Sequence, residues 1–142
     1  MIPKPTITKS PRKPLRKRRK RSPKDILFDR VWKKCSEYVR RRDRGVCYTC
    51  GIIKPWKKQH AGHFRHGKTK PTYFDDRQIH CQCPRCNKWL SGNLGIYGVN
   101  MIRDYGAEVV GDIIQQSYKF KLWKTKELEE LEVYFDNRLK EL

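Results

Sequence analysis

The sequence has few acidic residues for its many basic ones: 15 Asp and Glu stand against 34 Lys and Arg among 142 residues, a net charge of +19. Such an excess favours a polyanionic partner, namely DNA, RNA or an anionic membrane surface. The chain has no run of 18 apolar residues, which argues against a membrane-spanning helix. No apolar segment follows the basic N-terminus, so we expect no cleaved secretory signal.

Apolar residues are also scarce, at 37%, and are unevenly distributed. Residues 1–24 contain eleven basic side chains, five prolines and no acid, so this segment cannot bury enough surface to offset the entropy of ordering it. We therefore predict a disordered polybasic tail over 1–24 and one folded domain over 25–142. Residues 25–124 alone carry a net charge of +11, so the folded part is basic without the tail.

A helix is predicted over 25–45, because apolar residues recur there at three-to-four spacing. Ser22 and Pro23 would supply its N-cap and first turn, and Gly45 its end. The apolar stripe consists of Ile26, Leu27, Val31, Trp32, Cys35, Tyr38 and Val39.

The C-terminal segment 94–142 is predicted to form three helices. The first two, over 95–105 and 107–118, would meet at Gly106. Thr125 is expected to cap the third, whose amphipathic pattern indicates packing or self-association. Its apolar seam consists of Leu128, Leu131, Tyr134, Phe135, Leu139 and Leu142.

Six cysteines without a secretion signal favour metal ligation or free thiols over disulfides. Four of them form two CxxC pairs within 46–93, a segment of short hairpins and loops. Four thiolates would close a tetrahedral shell, so we predict a structural zinc that holds these hairpins together. The predicted zinc ligands are Cys47, Cys50, Cys83 and Cys86. Cys81 is an alternative ligand, whereas Cys35 lies on the apolar face of the first helix and is predicted to be core.

All four histidines lie between the two cysteine pairs, which chance explains poorly. They are His60, His63, His66 and His80. His63 follows Ala61 and Gly62 at the end of a predicted short strand. Asn87 follows the second CxxC pair directly, at a predicted helix start. These four histidines and Asn87 are therefore candidate site residues.

These motifs resemble those of the HNH nucleases with their ββα-metal arrangement. They are more closely similar to the NinG proteins of lambdoid phages, also called Rap recombination endonucleases. That family's order of a basic helix, CxxCG, AGHF, D…HxQCxxCN and SGN…YG is met between Trp32 and Gly106. The matching segments are Cys47–Gly51, Ala61–Phe64, Asp75–Asn87, Ser91–Asn93 and Tyr105–Gly106. The resemblance implies an α+β fold, with a small zinc-stabilised, HNH-like catalytic core over 46–93 flanked by helices.

The resemblance further implies a structure-selective, metal-dependent DNA endonuclease, encoded by a phage and acting in the cytoplasm of its bacterial host. Its substrates would be branched recombination intermediates such as Holliday junctions or D-loops. The implied general base is His63, which Gln78 would orient, with His80 as a further site residue. Asn87 would bind a catalytic Mg²⁺ or Mn²⁺, because a carbonyl oxygen suits these hard ions.

One departure from the HNH pattern concerns the second ligand of the catalytic ion. HNH nucleases mostly carry Asp or His directly before the base, where this chain has Gly62. The sequence leaves the replacement open among four residues. They are His60, Asp75, Asp76 and His80.

Basic residues around the cysteine pairs have few acids nearby, so we predict that they contact DNA phosphates. They are Arg40, Arg41, Arg42, Lys57, Lys58, Arg65, Arg85 and Lys88. Trp56 and Trp89 are candidates for stacking on unpaired bases, with a core position for at least one of them as the alternative. Other hypotheses are a zinc-stabilised DNA- or RNA-binding protein without catalysis and a ribosome-associated protein. A homodimer is possible, and no membrane partner is expected.

Overall fold

The computed structural model describes residues 19–142, so the predicted tail lies outside the described residues up to residue 18. The chain forms a long helix α1 (Pro23–Arg42), an antiparallel hairpin and three further helices. The hairpin strands are β1 (His60–His63) and β2 (Ile79–Gln82), and the later helices are α2 (Leu94–Tyr105), α3 (Ala107–Gln116) and α4 (Thr125–Lys140). This mixture confirms the α+β class. Over the described range, no helix combines the length and apolar character needed to cross a membrane.

Helix α1 begins two residues before the predicted domain boundary, so the tail prediction is wrong at its C-terminal end. The Ser22 hydroxyl accepts a hydrogen bond from the Asp25 backbone, and the Asp25 carboxylate accepts one from the Ser22 backbone. This reciprocal capping box starts the helix at Pro23, as the predicted N-cap pair requires. The helix ends at Arg42, three residues before the predicted end, and Gly45 follows with a left-handed φ of 69°.

The largest core lies between α1 and α4. Leu128 and Phe135 of α4 pack against α1, and Lys34 of α1 lies 2.9 Å from Glu132 and 2.7 Å from Asp136. The buried face of α1 consists of Leu27, Val31, Cys35, Tyr38 and Val39. The acidic α4 therefore covers one side of the basic α1, and its apolar seam is used for packing within the chain.

The boundaries of the C-terminal helices differ slightly from the predictions. Helix α2 starts one residue early, at Leu94, and α3 ends at Gln116 rather than at residue 118. Thr125 does not cap α4, because Lys124 occupies the N-cap position and its backbone N–H donates to Glu127. Leu142, the last residue of the predicted seam, is exposed.

The hairpin has two faces that serve different parts of the molecule. His63 lies opposite Ile79, and Gly62 lies opposite His80. Because side chains alternate along a strand, His63 and Ile79 face α1, whereas His80 faces α2 and stacks on Tyr48. A second core below His80 consists of Tyr97, Met101, Val110 and Ile113.

Candidate functional site

Four cysteines converge where the turn after α1 meets the end of β2. They are Cys47, Cys50, Cys83 and Cys86, and their Sγ atoms all lie within 4.8 Å of one another. The Sγ atoms of Cys50 and Cys83 are 3.7 Å apart. Sulfurs bound at about 2.3 Å to one tetrahedral zinc are separated by about 3.8 Å, so this spacing fits a closed site. The cluster can bind a structural metal such as zinc, in agreement with the CxxC spacing.

The two remaining cysteines lie outside this cluster. Cys81 is buried in β2, and burial, together with the nearby Asp43 carboxylate, raises the pKa of its thiol to about 12. Cys35 is buried in the core between α1 and α4, and burial raises the pKa of its thiol well above the usual value. Both thiols are therefore protonated core groups. The alternative in which Cys81 binds the zinc is wrong, and the core position of Cys35 is confirmed.

A cavity of about 440 Å³ opens between α1, β1 and a π-helical turn (Arg85–Trp89) that follows β2. We call it the central cavity. Its lining includes His63, His66 and Asn87 together with the rings of Trp32 and Tyr73. Two residues named from the sequence as base and metal ligand, His63 and Asn87, are thus brought to one cavity although 23 residues of the chain separate them.

The imidazole of His63 packs against two aromatic rings, which also contact each other with centroids 5.3 Å apart. Its ring centroid lies 4.8 Å from that of Trp32 and 4.6 Å from that of Tyr73. Nε2 lies 2.9 Å from the carbonyl oxygen of Tyr73, which only accepts hydrogen bonds, so Nε2 carries the proton. Burial lowers the pKa of His63, and the net value is about 4: the hydrogen bond to the Tyr73 carbonyl raises the pKa in part, and the nearby His66 lowers it. At neutral pH the ring is therefore uncharged, and its lone pair is at Nδ1.

Asn87 lies beside a second histidine. Its amide Nδ2 is 3.1 Å from Nδ1 of His60, the first residue of β1. Burial lowers the pKa of His60, and the positive charges of Arg40 and Lys88 act in the same direction. His60 is therefore neutral at physiological pH, with Nδ1 available as an acceptor or ligand atom. Of the four residues left open as a second metal ligand, His60 is the one in contact with Asn87.

The neighbours of Gly62 leave no space for a side chain at this position. A Cβ there would collide with Oε1 of Gln82 and come within 2.9 Å of Oδ1 of Asn87. An Asp or His at this position, as in most HNH sequences, would have no room. Gln82 thus occupies the space that the usual HNH side chain would need at position 62.

Gln78 is fully buried, and its contacts do not include the His63 ring. Its Oε1 accepts a hydrogen bond from the Arg65 backbone at 2.6 Å, and its Nε2 donates to the Thr72 carbonyl at 2.6 Å. The predicted direct orientation of His63 by Gln78 is therefore wrong. Gln78 instead fixes the loop whose next carbonyl, that of Tyr73, holds His63.

His80 lies on the opposite face of the hairpin from His63. Its ring stacks on Tyr48 with centroids 3.8 Å apart, and its Nε2 donates to the Arg77 carbonyl at 3.1 Å. Nδ1 lies 3.2 Å from the Arg42 guanidinium. Both ring nitrogens have partners and His80 does not line the central cavity, so the structure does not bring His80 to the predicted base. In the strand register His80 pairs with Gly62 and lies on the face opposite His63; His60 is on that same opposite face and is set apart from His80 by its contact with Asn87.

The two aspartates of the loop before β2 are also engaged elsewhere. Asp76 accepts a hydrogen bond from the Tyr134 hydroxyl of α4 at 3.0 Å, and Asp75 pairs with Arg77 at 2.7 Å. Neither residue lines the central cavity. The structure therefore does not bring Asp76 to Asn87, because the Tyr134 hydroxyl of α4 holds its carboxylate.

The basic residues fall into two groups. Arg42 is an internal connector: its guanidinium donates to the carbonyls of Asp76 and Ile79 and pairs with Asp43, so the predicted phosphate contact of Arg42 is wrong. The fully exposed group consists of Lys57, Lys58, Arg85 and Lys88. The half-buried group consists of Arg40, Arg41 and Arg65. These seven side chains remain candidates for phosphate contact.

The two tryptophans of this region differ in exposure. Trp89 is 77% exposed on the π-helical turn. Trp56 is half-buried, with Arg40 and Lys57 over its ring. Trp89 is therefore the more accessible of the two for stacking on a base, with the Lys88 ammonium 6.0 Å from its ring centroid.

Sequence reasoning missed three residues of the site. Trp32 fits the apolar periodicity of α1, so the sequence marks it only as a core residue. Tyr73 acts through a backbone carbonyl that no side-chain pattern reveals. Gln82 is completely buried in β2. The sequence offers one sign of it: Gln82 is a polar residue that stands between two cysteines in a short strand.

Comparison with known proteins shows similarity to one protein family. The family described as Bacteriophage Lambda NinG protein matches residues 4–142. Curated relatives include Protein ninG of Salmonella phage P22, 33% identical over 122 residues, and Protein ninG of Escherichia phage lambda, 31% identical over the same length. Each match covers 84% of this chain and 59% of the relative, so the chain spans about three fifths of their length. No solved structure matches.

Proposed function

The chain belongs to the NinG family of bacteriophage proteins, and we propose that it is a metal-dependent DNA endonuclease. Its substrates are branched recombination intermediates such as Holliday junctions or D-loops, in the cytoplasm of the bacterial host. One observation carries the proposal: the central cavity brings the neutral His63 together with Asn87, whose amide contacts the imidazole of His60 outside the cavity lining.

His63 supplies the general base. Hydrolysis of a phosphodiester requires a group that takes a proton from the attacking water. The Tyr73 carbonyl keeps the His63 proton on Nε2, so Nδ1 is the atom that receives the proton. The Trp32 and Tyr73 rings pack against the imidazole and restrict its rotation, and the lowered pKa keeps the base unprotonated at neutral pH. The residue therefore needs no rearrangement before it accepts a proton.

Asn87 and His60 would hold the catalytic ion, Mg²⁺ or Mn²⁺. Neighbouring ligands at about 2.1 Å from an octahedral ion are about 3 Å apart. Nδ2 of Asn87 lies 3.1 Å from Nδ1 of His60, and a half-turn of the amide would place the ligand oxygen Oδ1 at this position. An imidazole nitrogen and a carbonyl oxygen are both ligands for such ions. When bound, the ion stabilises the charge that develops on the scissile phosphate. The chain order β1, β2, π-helical turn also agrees with a ββα-metal arrangement.

The charge around the cavity supports a nucleic acid as substrate. Arg40 and Lys88 are close enough to His60 to lower its pKa, and they approach a phosphate bound at the same place. Lys57, Lys58 and Arg85 are exposed nearby in the chain. Contacts of this kind neutralise phosphates and release counterions, which gives affinity without base preference. The preference for branched DNA is supported by the family resemblance.

A cleavage assay tests the proposal. Purified full-length chain would be incubated with a four-way junction, a fork, a duplex and a single strand, with Mg²⁺, with Mn²⁺ and with neither. We expect cleavage that depends on the ion and is fastest on the junction. His63→Ala should lower the cleavage rate by about 10²–10⁴-fold while zinc content and junction binding stay unchanged.

Two results would contradict the proposal. Tight junction binding without cleavage under either ion would favour the non-catalytic zinc-stabilised binding protein. Equal cleavage by the wild type and His63→Ala would remove His63 as the base. Symmetric cleavage of a junction requires two active sites, so we also expect a homodimer on the junction, which sedimentation would detect.

A further inference from the structure

We propose that Gln82 is a positioning residue, which holds the Asn87 amide with its oxygen directed at His60. The inference deepens the proposed function and rests on its metal site. It starts from the fact that Gln82, in the last position of β2, is completely buried and yet has one unpaired polar atom.

The Gln82 amide has a fixed orientation. Its Nε2 donates to the Gly92 carbonyl at 2.8 Å and to the Thr49 hydroxyl at 3.1 Å, which uses both of its N–H groups. Oε1 must then point the other way, toward the backbone of Gly62. This oxygen has no hydrogen-bond partner, and a buried unpaired acceptor is unfavourable. Gln82 therefore presents a fixed, unused acceptor.

The Asn87 side chain approaches the same place. A Cβ on Gly62 would meet both Oε1 of Gln82 and Oδ1 of Asn87, so the two oxygens share the small space beside that glycine. With Oδ1 on this side, Nδ2 of Asn87 faces Nδ1 of His60. A half-turn of the Asn87 amide exchanges its oxygen and nitrogen. Nδ2 then faces Oε1 of Gln82 as a donor, and Oδ1 faces Nδ1 of His60.

The half-turned arrangement satisfies three requirements at once. The buried oxygen of Gln82 gains a donor. Asn87 presents its oxygen, the atom that binds a hard cation, and His60 presents a lone pair beside it. Gly62 is needed for this, because any side chain there would separate Gln82 from Asn87. The glycine that removes the usual HNH ligand thus makes room for the residue that orients the remaining one.

Binding of Mn²⁺ tests the inference directly. The probe is Mn²⁺ alone, titrated into zinc-loaded full-length chain and followed by electron paramagnetic resonance. We expect Gln82→Met, which fills the space without an acceptor, to weaken Mn²⁺ binding by about 10–100-fold. Gln82→Glu can replace the amide as a neutral acid, whose O–H donates to the Gly92 carbonyl while its other oxygen stays an acceptor, and should then retain most of the affinity. Gln59→Met is the matched control: Gln59 is also a buried glutamine with an unpaired Oε1, and its amide binds Gly45 instead.

A second background separates orientation from stability. In Asn87→Asp either carboxylate oxygen can face His60, so no neighbour is needed to turn the group. Adding Gln82→Met to Asn87→Asp should leave Mn²⁺ affinity unchanged or increased. A general loss of structure would lower it in both backgrounds, and zinc content and circular dichroism would report that loss independently.

The outcomes distinguish this inference from the proposed function. If His60→Ala leaves Mn²⁺ binding by the wild type unchanged, or the wild type binds no Mn²⁺, the proposed metal site fails. If the wild type binds Mn²⁺ through His60 and Gln82→Met binds it equally well, the site stands and the role of Gln82 is refuted. Equal loss in Gln82→Met and Gln59→Met, or loss in the Asn87→Asp background, also refutes it.

Discussion

The two faces of the β1–β2 hairpin each carry a histidine packed against aromatic rings, and their hydrogen bonds make the two residues chemically different. His63 has one nitrogen on the Tyr73 carbonyl and the other free in the central cavity. His80 has Nε2 on the Arg77 carbonyl and Nδ1 beside the Arg42 guanidinium. The first can accept a proton from a substrate or water, and the second joins the end of α1 to β2.

This difference shows that a histidine's partners decide its role more than its neighbours in sequence. Both residues belong to the same histidine-rich segment and both fit the family motif. Only the free nitrogen and the cavity distinguish them. Substituting His63 is therefore expected to lower activity, whereas substituting His80 is expected to lower stability.

The largest effect should come from the cysteine cluster, because it supports both faces of the hairpin. Cys83→Ser or chelation of the zinc should unfold the domain, since a structural zinc contributes about 10 kcal/mol or more to folding. Circular dichroism and thermal unfolding would measure this. Cys81→Ala is the control: it removes a buried thiol outside the cluster and should keep the zinc stoichiometry. A folded, zinc-free chain with normal helix content would contradict the prediction.

Substituting each histidine sharpens the comparison. His63→Ala should abolish most cleavage and leave the fold intact. His80→Ala should leave cleavage per folded molecule unchanged and lower the free energy of unfolding by about 1–3 kcal/mol, because Arg42 loses a buried partner. Cleavage rates and urea unfolding of both variants would give the two pairs of values. The proposed difference between the two histidines would be refuted if His80→Ala lost activity while remaining as stable as the wild type.

The pH dependence of stability gives a test that needs no substrate. Folded His63 has a pKa of about 4, against about 6.5 in an unfolded chain. Between these values the unfolded state binds a proton that the folded state does not, so stability falls as pH decreases from 6.5 to 4, by up to about 3 kcal/mol. His63→Phe keeps a ring packed against Trp32 and Tyr73 without a titrating group, and should show a shallower dependence of stability on pH in urea unfolding. An unchanged slope would mean that His63 is not a buried neutral base.

Two cations provide a smaller contrast. Lys88→Gln should weaken DNA binding and reduce the salt slope of log K by about 1, as expected for one phosphate contact. Arg42→Gln should leave that slope unchanged and lower the unfolding free energy instead, since its guanidinium binds backbone carbonyls. Fluorescence titrations at several salt concentrations would measure both. A changed slope in Arg42→Gln would return Arg42 to the DNA-binding surface.

The smallest effect on the two faces should come from deleting residues 1–18. Because the capping box of α1 uses Ser22, the deletion stops short of it. We expect weaker binding to all DNA sequences and a flatter salt dependence, with an unchanged cleavage rate at saturating DNA. A salt slope equal to that of the full chain would show that these basic residues do not contact phosphates.

Much of the fold follows from local patterns in the sequence. The periodicity of α1, the cap at Ser22 and the break at Gly106 predict helices to within a few residues, because these signals act over one or two turns. The CxxC spacing likewise predicts the cysteine cluster, since both sulfurs of a pair bind one ion. The end of α1 and the cap of α4 were missed by one to three residues, where several residues compete for the same position.

The site was less predictable, because it depends on register and backbone. The family motif includes His63, His80 and Asn87 alike. Only the pairing of β1 with β2 shows that His80 lies on the face of the hairpin opposite His63. The Tyr73 carbonyl and the packing of Gln82 against Gly62 are tertiary contacts with no local signature. Arg42 lies in a basic stretch typical of DNA-binding proteins, and its hydrogen bonds to two carbonyls of the loop before β2 and of β2 itself, which the sequence does not reveal, engage its guanidinium.

The π-helical turn has a consequence for how the two centres communicate. Cys86 belongs to the cysteine cluster, and Asn87, the next residue, lines the central cavity, so a single peptide link separates the candidate zinc ligand from the proposed ligand of the catalytic ion. A displacement of the Cys86 sulfur would move the Asn87 backbone, which carries the amide. Exchange of zinc for cadmium, which forms longer bonds to sulfur, should therefore change the rate of DNA cleavage, although neither ion touches the DNA.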